Sequence, residues 1–235
     1  MTLRTPHQAN PVRVAQQAPQ LPDMSPFRSL SEHIYVLLEE AIIQGQLPPG
    51  THLQAEAIAE QFEMSRIPVR EALRALHAHR WVMIRPRRGA FVRQQTETEA
   101  SELFQVRAVL EAQAARWGAA QRTEAQLAAL SRLVEAGTGA ARSNDLHKMS
   151  NLNTEFHTQL ALCAQNAILA ELLTSISKRI QWYFSAVATN RGIASWQEHK
   201  QMVDALRVRK AERAAMLSVH HSETTRSALR NRFAG

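Results

Sequence analysis

The chain has 235 residues, 45% of them hydrophobic and 21% charged, enough for one large domain or two small ones with a real core. It has no run of 18 or more apolar residues, which excludes a membrane-spanning helix, and a single cysteine, Cys163, which excludes an internal disulfide and suits a reducing, cytoplasmic compartment. Lys and Arg number 28 against 21 Asp and Glu, a formal charge of +7 that favours a polyanionic partner.

Residues 1–26 are polar, rich in Gln and Pro, and lack both a sustained period and the apolar core of a secretion signal, so they read as a disordered arm. From Leu30 the pattern turns helical, with Leu30, Ile34, Leu37, Leu38, Ala41 and Ile42 three and four apart. Ser29 or Ser31 suits the N-cap, Gly45 a left-handed end, and Pro48-Pro49-Gly50 a tight connection. A second short helix fits 55–62, with Ile58, Ala59 and Phe62 inward, followed by a turn at Glu63-Met64.

Ser65 then caps a third helix over 66–78, with Pro68 in its first turn, where a missing N–H costs nothing. Val69, Leu73 and Leu76 face inward, while Arg66, Arg70 and Arg74, four apart, share the opposite face. Residues 81–84 and 90–92 are strand-like and flank a turn containing Pro86 and Gly89, which predicts a β-hairpin. Helix, helix, turn, helix and hairpin are the order of a winged helix-turn-helix, over 27–93.

The charge excess belongs to that unit. Residues 64–93 hold eight arginines and one acid, Glu71, whereas the rest of the chain carries 20 basic and 20 acidic residues. Concentrated this way, it points to nucleic acid.

From Thr98 onward there is no proline and no strand-like alternation. Helical segments fit about 98–121, 124–142, 145–164, 166–190 and 195–232, the last one broken, which predicts an antiparallel all-α bundle over 98–235. The expected fold is mainly α.

The N-terminal residues resemble the GntR family of bacterial transcription regulators, in its FadR-type subfamily. The resemblance rests on Ile43-x-Gly45-x-Leu47-x-Pro49-Gly50, on Ile58-Ala59-Glu60-x-Phe62, on Ser65-Arg66-x-Pro68-Val69-Arg70-Glu71-Ala72-Leu73-Arg74, and on Arg87-x-Gly89-Ala90-x-Val92. Arg80-Trp81 departs from it, standing where the family usually has Gly-Leu. The second half resembles that subfamily's helical effector (FCD) domain through Val106-Arg107, Leu110-Glu111, Asn153-x-x-Phe156-His157, Asn166 and Glu198-His199. The resemblance implies a homodimer on a palindromic operator, a small organic acid as effector, and release of a repressor when the effector binds.

The major groove accepts a helix, and Arg reads guanine through two parallel hydrogen bonds. Arg66 and Arg70 are therefore expected at base edges, Arg74 and Ser65 at phosphates, and Arg88 in the minor groove, with Gly89 allowing close approach. The plain alternative for Arg70 is an ion pair with Glu71 or a solvated side chain.

In the second half, Asn153 and His157 are four apart on one helical face. His199 and His221 are 22 apart and meet only if the chain bends near residue 210, for which Arg207–Lys210 is the expected place, without the glycine that family members often put there. Converging, Asn153, His157, His199 and His221 make a site for Zn²⁺, Ni²⁺ or Mn²⁺ with open positions. The Asn153 position is commonly Asp in the subfamily. His220 points about 100° away from His221 and is the weaker candidate.

Arg107 matches the subfamily's effector-clamping arginine and can hold a carboxylate bidentately, the alternative being a structural pair with Glu111. Arg179, Trp182 and Tyr183 are further candidates for the cavity wall, with helix core the better reading of the aromatics. The competing functions are a metal-responsive regulator without an organic effector and a metal-dependent enzyme. Against an enzyme, the chain has no His-Glu-x-x-His run, no Gly-x-Ser-x-Gly elbow and no phosphate-binding glycine loop, and Cys163 reads as a packed thiol.

Overall fold

Ser29 opens the first helix with a capping box: its hydroxyl accepts from Glu32 N–H, and the Glu32 carboxylate accepts from Ser29 N–H. This helix, α1 (Leu30–Ile43), ends at Gln44, and Gly45 follows with φ +75°. The structure, a computed structural model, describes residues 29–234, so the expected N-terminal arm over 1–26 lies outside the described residues. The chain divides into two compact units at Gln94/Gln95.

In the first unit, α2 (Ala55–Gln61) and α3 (Arg66–Ala78) follow α1, then strands β2 (Val82–Arg85) and β3 (Gly89–Val92). A short strand was not expected: β1 (His52–Leu53) pairs with β3, His52 opposite Phe91 and Leu53 opposite Ala90, so the wing is a three-stranded antiparallel sheet of order β1-β3-β2. Ile34, Ile58, Val69, Leu76 and Trp81 form the core between helices and sheet. Trp81 precedes β2 rather than lying in it, and Arg80, where the family usually has glycine, sits at φ +64°.

The second unit is helical throughout: α4 (Glu97–Gln121), α5 (Glu124–Arg142), α6 (Leu146–Cys163), α7 (Ala167–Ser185), α8 (Ala188–Arg207) and α9 (Ala211–Ala234). Thr96, Thr123, Asp145 and Asn166 cap four of these helices with side-chain oxygens. The largest correction concerns the expected segments 166–190 and 195–232, because the break falls at Ala186-Val187 and residues 191–194 are helical. Val187 and Ala188 are buried, so the chain turns inside the core rather than at the polar stretch that follows. The bend between α8 and α9 falls at Val208–Lys210, with Arg209 at φ +54° in the role a glycine would fill.

Candidate functional site

Two groups of residues carry chemistry, one in each unit. In the first, the i,i+4 spacing of α3 buries Val69, Leu73 and Leu76 and leaves Arg66, Arg70 and Arg74 exposed. Arg70, Arg74, Arg87, Arg88 and Gly89 border one recess of about 480 Å³ between α3 and the wing. Ser65 stands at the N-cap of α3, but its hydroxyl makes no capping bond, which leaves both it and the helix's first N–H groups open to an anion. Gly89 has φ +92°, which strains any L side chain, and a Cβ there would lie 2.6 Å from His52 Nε2, so the His52 ring would have to shift.

Arg70 does not take Glu71 as partner in an ion pair. Its guanidinium lies 3.7 Å from Glu56 Oε1, the same oxygen that accepts from Arg66 at 3.3 Å. Glu56, on α2, is the partner of these arginines that the sequence pattern does not reveal. Its ten-residue separation from Arg66 carries no local signal.

In the second unit the bend before α9 brings three imidazoles together. His199 Nε2 lies 3.2 Å from His157 Nε2 and 3.3 Å from His221 Nε2. All three rings are buried. Phe156 stacks on His199 with ring centres 4.0 Å apart, and Trp196 meets it edge-on at 4.7 Å. Gly137 makes this packing possible, because a Cβ there would lie 2.2 Å from the Trp196 ring. Burial pushes His157 well below the ordinary imidazole range, with Arg107 and His221 adding to it. His199 is likewise held well below by burial, then by His221 and His157. Burial lowers His221 too, against the opposing hydrogen bond to Glu198.

Three buried imidazoles whose ligand nitrogens all lie within 4.8 Å of one another suit a divalent cation. Metal–nitrogen bonds of about 2.0–2.1 Å at tetrahedral angles put ligand atoms about 3.3–3.4 Å apart, close to the His157–His199 and His199–His221 separations of 3.2 and 3.3 Å. Asn153, one turn before His157, is buried, and its Oδ1 has no hydrogen-bond partner in the structure. His220, by contrast, is exposed.

Arg107 is 1% exposed and donates from Nε to Glu111 Oε1 at 2.9 Å, so the expected structural pair exists. Its Nη1 and Nη2 have no acceptor in the structure. Arg107, Glu111, Asn153 and His157 line one cavity together with Leu173, Thr174 and Ile180. Its free room is about 20 Å³, roughly one water molecule. Glu111 Oε1 also lies 2.9 Å from His157 Nδ1, out of hydrogen-bond alignment.

Of the further candidates, Arg179 is ion-paired with Glu99, and Trp182 and Tyr183 are buried core. The missed residues here are Arg191 and Glu198, which join on α8 and reach His221. Cys163 is fully buried and its thiol is pushed up to about 11 by burial, as a packed thiol should be.

Residues 30–92 match the family described as bacterial regulatory proteins, gntR family, and residues 102–224 match the FCD domain. The chain is 30% identical over 226 residues to the Exu regulon transcriptional regulator of Escherichia coli strain K12, covering 87% of this chain and 86% of that one. It is 27% identical to that organism's galactonate operon transcriptional repressor, over 82% of this chain and 94% of the relative. Among solved structures, a transcriptional regulator GntR from Rhodococcus sp. RHA1 shares the fold with a TM-score of 0.76 at 24% identity, covering 87% of this chain and 99% of that one.

Proposed function

The chain belongs to the GntR family of bacterial regulatory proteins and is a DNA-binding transcriptional regulator with an FCD domain rather than an enzyme, and we propose that it is a repressor released from a palindromic operator by a small carboxylate bound in the helical unit. The observation that carries the effector half is Arg107. A buried guanidinium with two nitrogens lacking acceptors, facing a cavity, is costly unless an anion completes it, and its fork matches a carboxylate. The name of one relative, the galactonate operon repressor, supports this class, since galactonate carries a carboxylate.

His157, His199 and His221, with Asn153, would hold a divalent cation beside that cavity. Bound there, the cation supplies positive charge that favours an anionic ligand. The histidines supply neutral imidazole nitrogen, and Arg107 orients the carboxylate. Because the cavity has room for about one water, a larger acid enters only if the wall formed by Leu173, Thr174 and Ile180 moves. An effector that pays for that movement selects a different arrangement of the bundle, which is how binding is linked to DNA affinity.

Arg66 and Arg70 would read bases, Ser65 and Arg74 phosphates, and Arg88 the minor groove beside Gly89. Two copies are needed for a palindrome. The exposed apolar side chains Val106, Val109 and Trp117 on α4 support association through the helical unit.

The narrow cavity also supports a second reading, a regulator that responds to metal alone. Thermal-shift screening against small organic acids, with and without chelator, tests both. Stabilisation by an acid supports the first reading, and stabilisation by Zn²⁺, Ni²⁺ or Mn²⁺ with no response to any acid supports the second.

A further inference from the structure

One carboxylate oxygen in the helical unit serves two donors. Glu198 Oε2 accepts from Arg191 Nη2 at 2.6 Å and from His221 Nδ1 at 2.7 Å, while Glu198 Oε1 accepts from Arg191 Nη1 at 3.0 Å. Arg191 and Glu198 are seven residues apart, two turns along one face of α8, and Arg191 also donates to Thr225 Oγ1 on α9 at 3.3 Å. The clamp therefore ties α8 to the turn of α9 that carries His221. All of it is largely buried.

An ionised carboxylate offers only acceptors, so the imidazole proton at this contact sits on Nδ1 of His221. The other ring nitrogen, Nε2, is then a lone pair, and it lies 3.3 Å from His199 Nε2 at the centre of the cluster. The other two rings are held less firmly. His157 Nδ1 is 2.9 Å from Glu111 Oε1 but out of alignment, and His199 Nδ1 has no partner in the structure. Only His221 has its tautomer set by an aligned, charge-assisted bond, and only its carboxylate is gripped by both oxygens.

We propose that Glu198, clamped by Arg191, is a positioning residue that locks His221 in the Nδ1–H tautomer and so presents its Nε2 to a cation. This inference rests on the metal-site reading above. Removing one member of the clamp would strand a buried charge and confuse a folding defect with a loss of positioning. The test therefore replaces both, as Arg191→Met with Glu198→Leu, in the full-length protein stripped with chelator.

Two measurements are made: the histidine ¹⁵N spectrum of the metal-free protein, which distinguishes the tautomers, and calorimetric titration with Ni²⁺ alone. In the parent, His221 is expected as Nδ1–H. In the double variant that signature disappears and Ni²⁺ affinity falls about 10- to 100-fold, the usual effect of losing a partner behind a ligand. Arg191→Lys, which keeps a cation on Glu198, is expected to retain the tautomer and most of the affinity. A parent His221 found as Nε2–H overturns the proposal without any variant, as does a double variant that binds Ni²⁺ within threefold of the parent. A parent that binds no Ni²⁺ while keeping His221 as Nδ1–H overturns the metal reading and leaves the lock standing.

Discussion

His157 Nε2 and His199 Nε2 lie 3.2 Å apart inside a buried aromatic cage, a separation that two neutral imidazoles tolerate and two imidazolium ions do not. The cluster is built to be neutral, and stability must depend on pH accordingly. The folded pKa values of His157, His199 and His221 are all lowered, so the unfolded chain, titrating near 6.5, takes up protons first. Stability is then full above pH 6.5 and lost as pH falls below it, by up to about 1.4 kcal/mol per pH unit for each histidine until the folded values are reached. Urea melts of metal-free protein at pH 7.5, 6.5 and 5.5 check this. A flat profile across that range would mean that the rings already carry charge in the native state.

Arg70 is exposed and contributes nothing to the core, so Arg70→Ala is expected to abolish sequence-specific binding and leave the melting temperature unchanged. The measurement is gel shift at physiological salt on a duplex selected by the parent protein from a random pool. Retained affinity would remove Arg70 from the DNA-reading set.

Glu56 stands against the same two arginines. Its carboxylate repels phosphates and occupies the guanidinium groups in the free protein. Glu56→Gln should raise affinity for unrelated duplex DNA several-fold and raise affinity for the selected site less, so that discrimination falls. Equal affinity of variant and parent for both duplexes would show that exchange of this ion pair does not contribute.

Arg80 carries a left-handed backbone where the family usually has glycine. An L-residue pays about 1 kcal/mol for that conformation. Arg80→Gly should therefore raise the stability of the first unit by about 1 kcal/mol, read as a shift in its urea midpoint, and a destabilised variant would show that the arginine side chain contributes more than its backbone costs.

Much of this was legible in the sequence because short-range physics sets it. The three-and-four spacing of α3 sorts Val69, Leu73 and Leu76 from Arg66, Arg70 and Arg74, and Ser29 and Ser65 mark the starts of α1 and α3. β1 was not legible, since two residues have no period and His52–Leu53 become a strand only by pairing with β3. The start of α8 differs from the expected segments, which leave 191–194 between two helices. Gly192 is a contact point, where a Cβ would lie 2.8 Å from Met149 Sδ. That error hid the clamp: with α8 begun at 195, Arg191 and Glu198 no longer share a helix face. The convergence of His157, His199 and His221 was accessible from spacing and the bend near 210, whereas the pairing of Glu198 with His221 across 23 residues left no local trace.

Arg107 is the group proposed to receive the effector. Its most direct test is fluorescence anisotropy of the selected duplex bound to the parent protein and to Arg107→Lys, titrated with small organic acids in the presence of Ni²⁺. Lysine keeps the charge beside Glu111 and loses the two-pronged donor. The parent is expected to leave the DNA with at least one acid, while the lysine variant binds DNA equally well and needs at least tenfold more of that acid. A variant that responds at the same concentration as its parent, or a parent that no acid releases, would contradict the account.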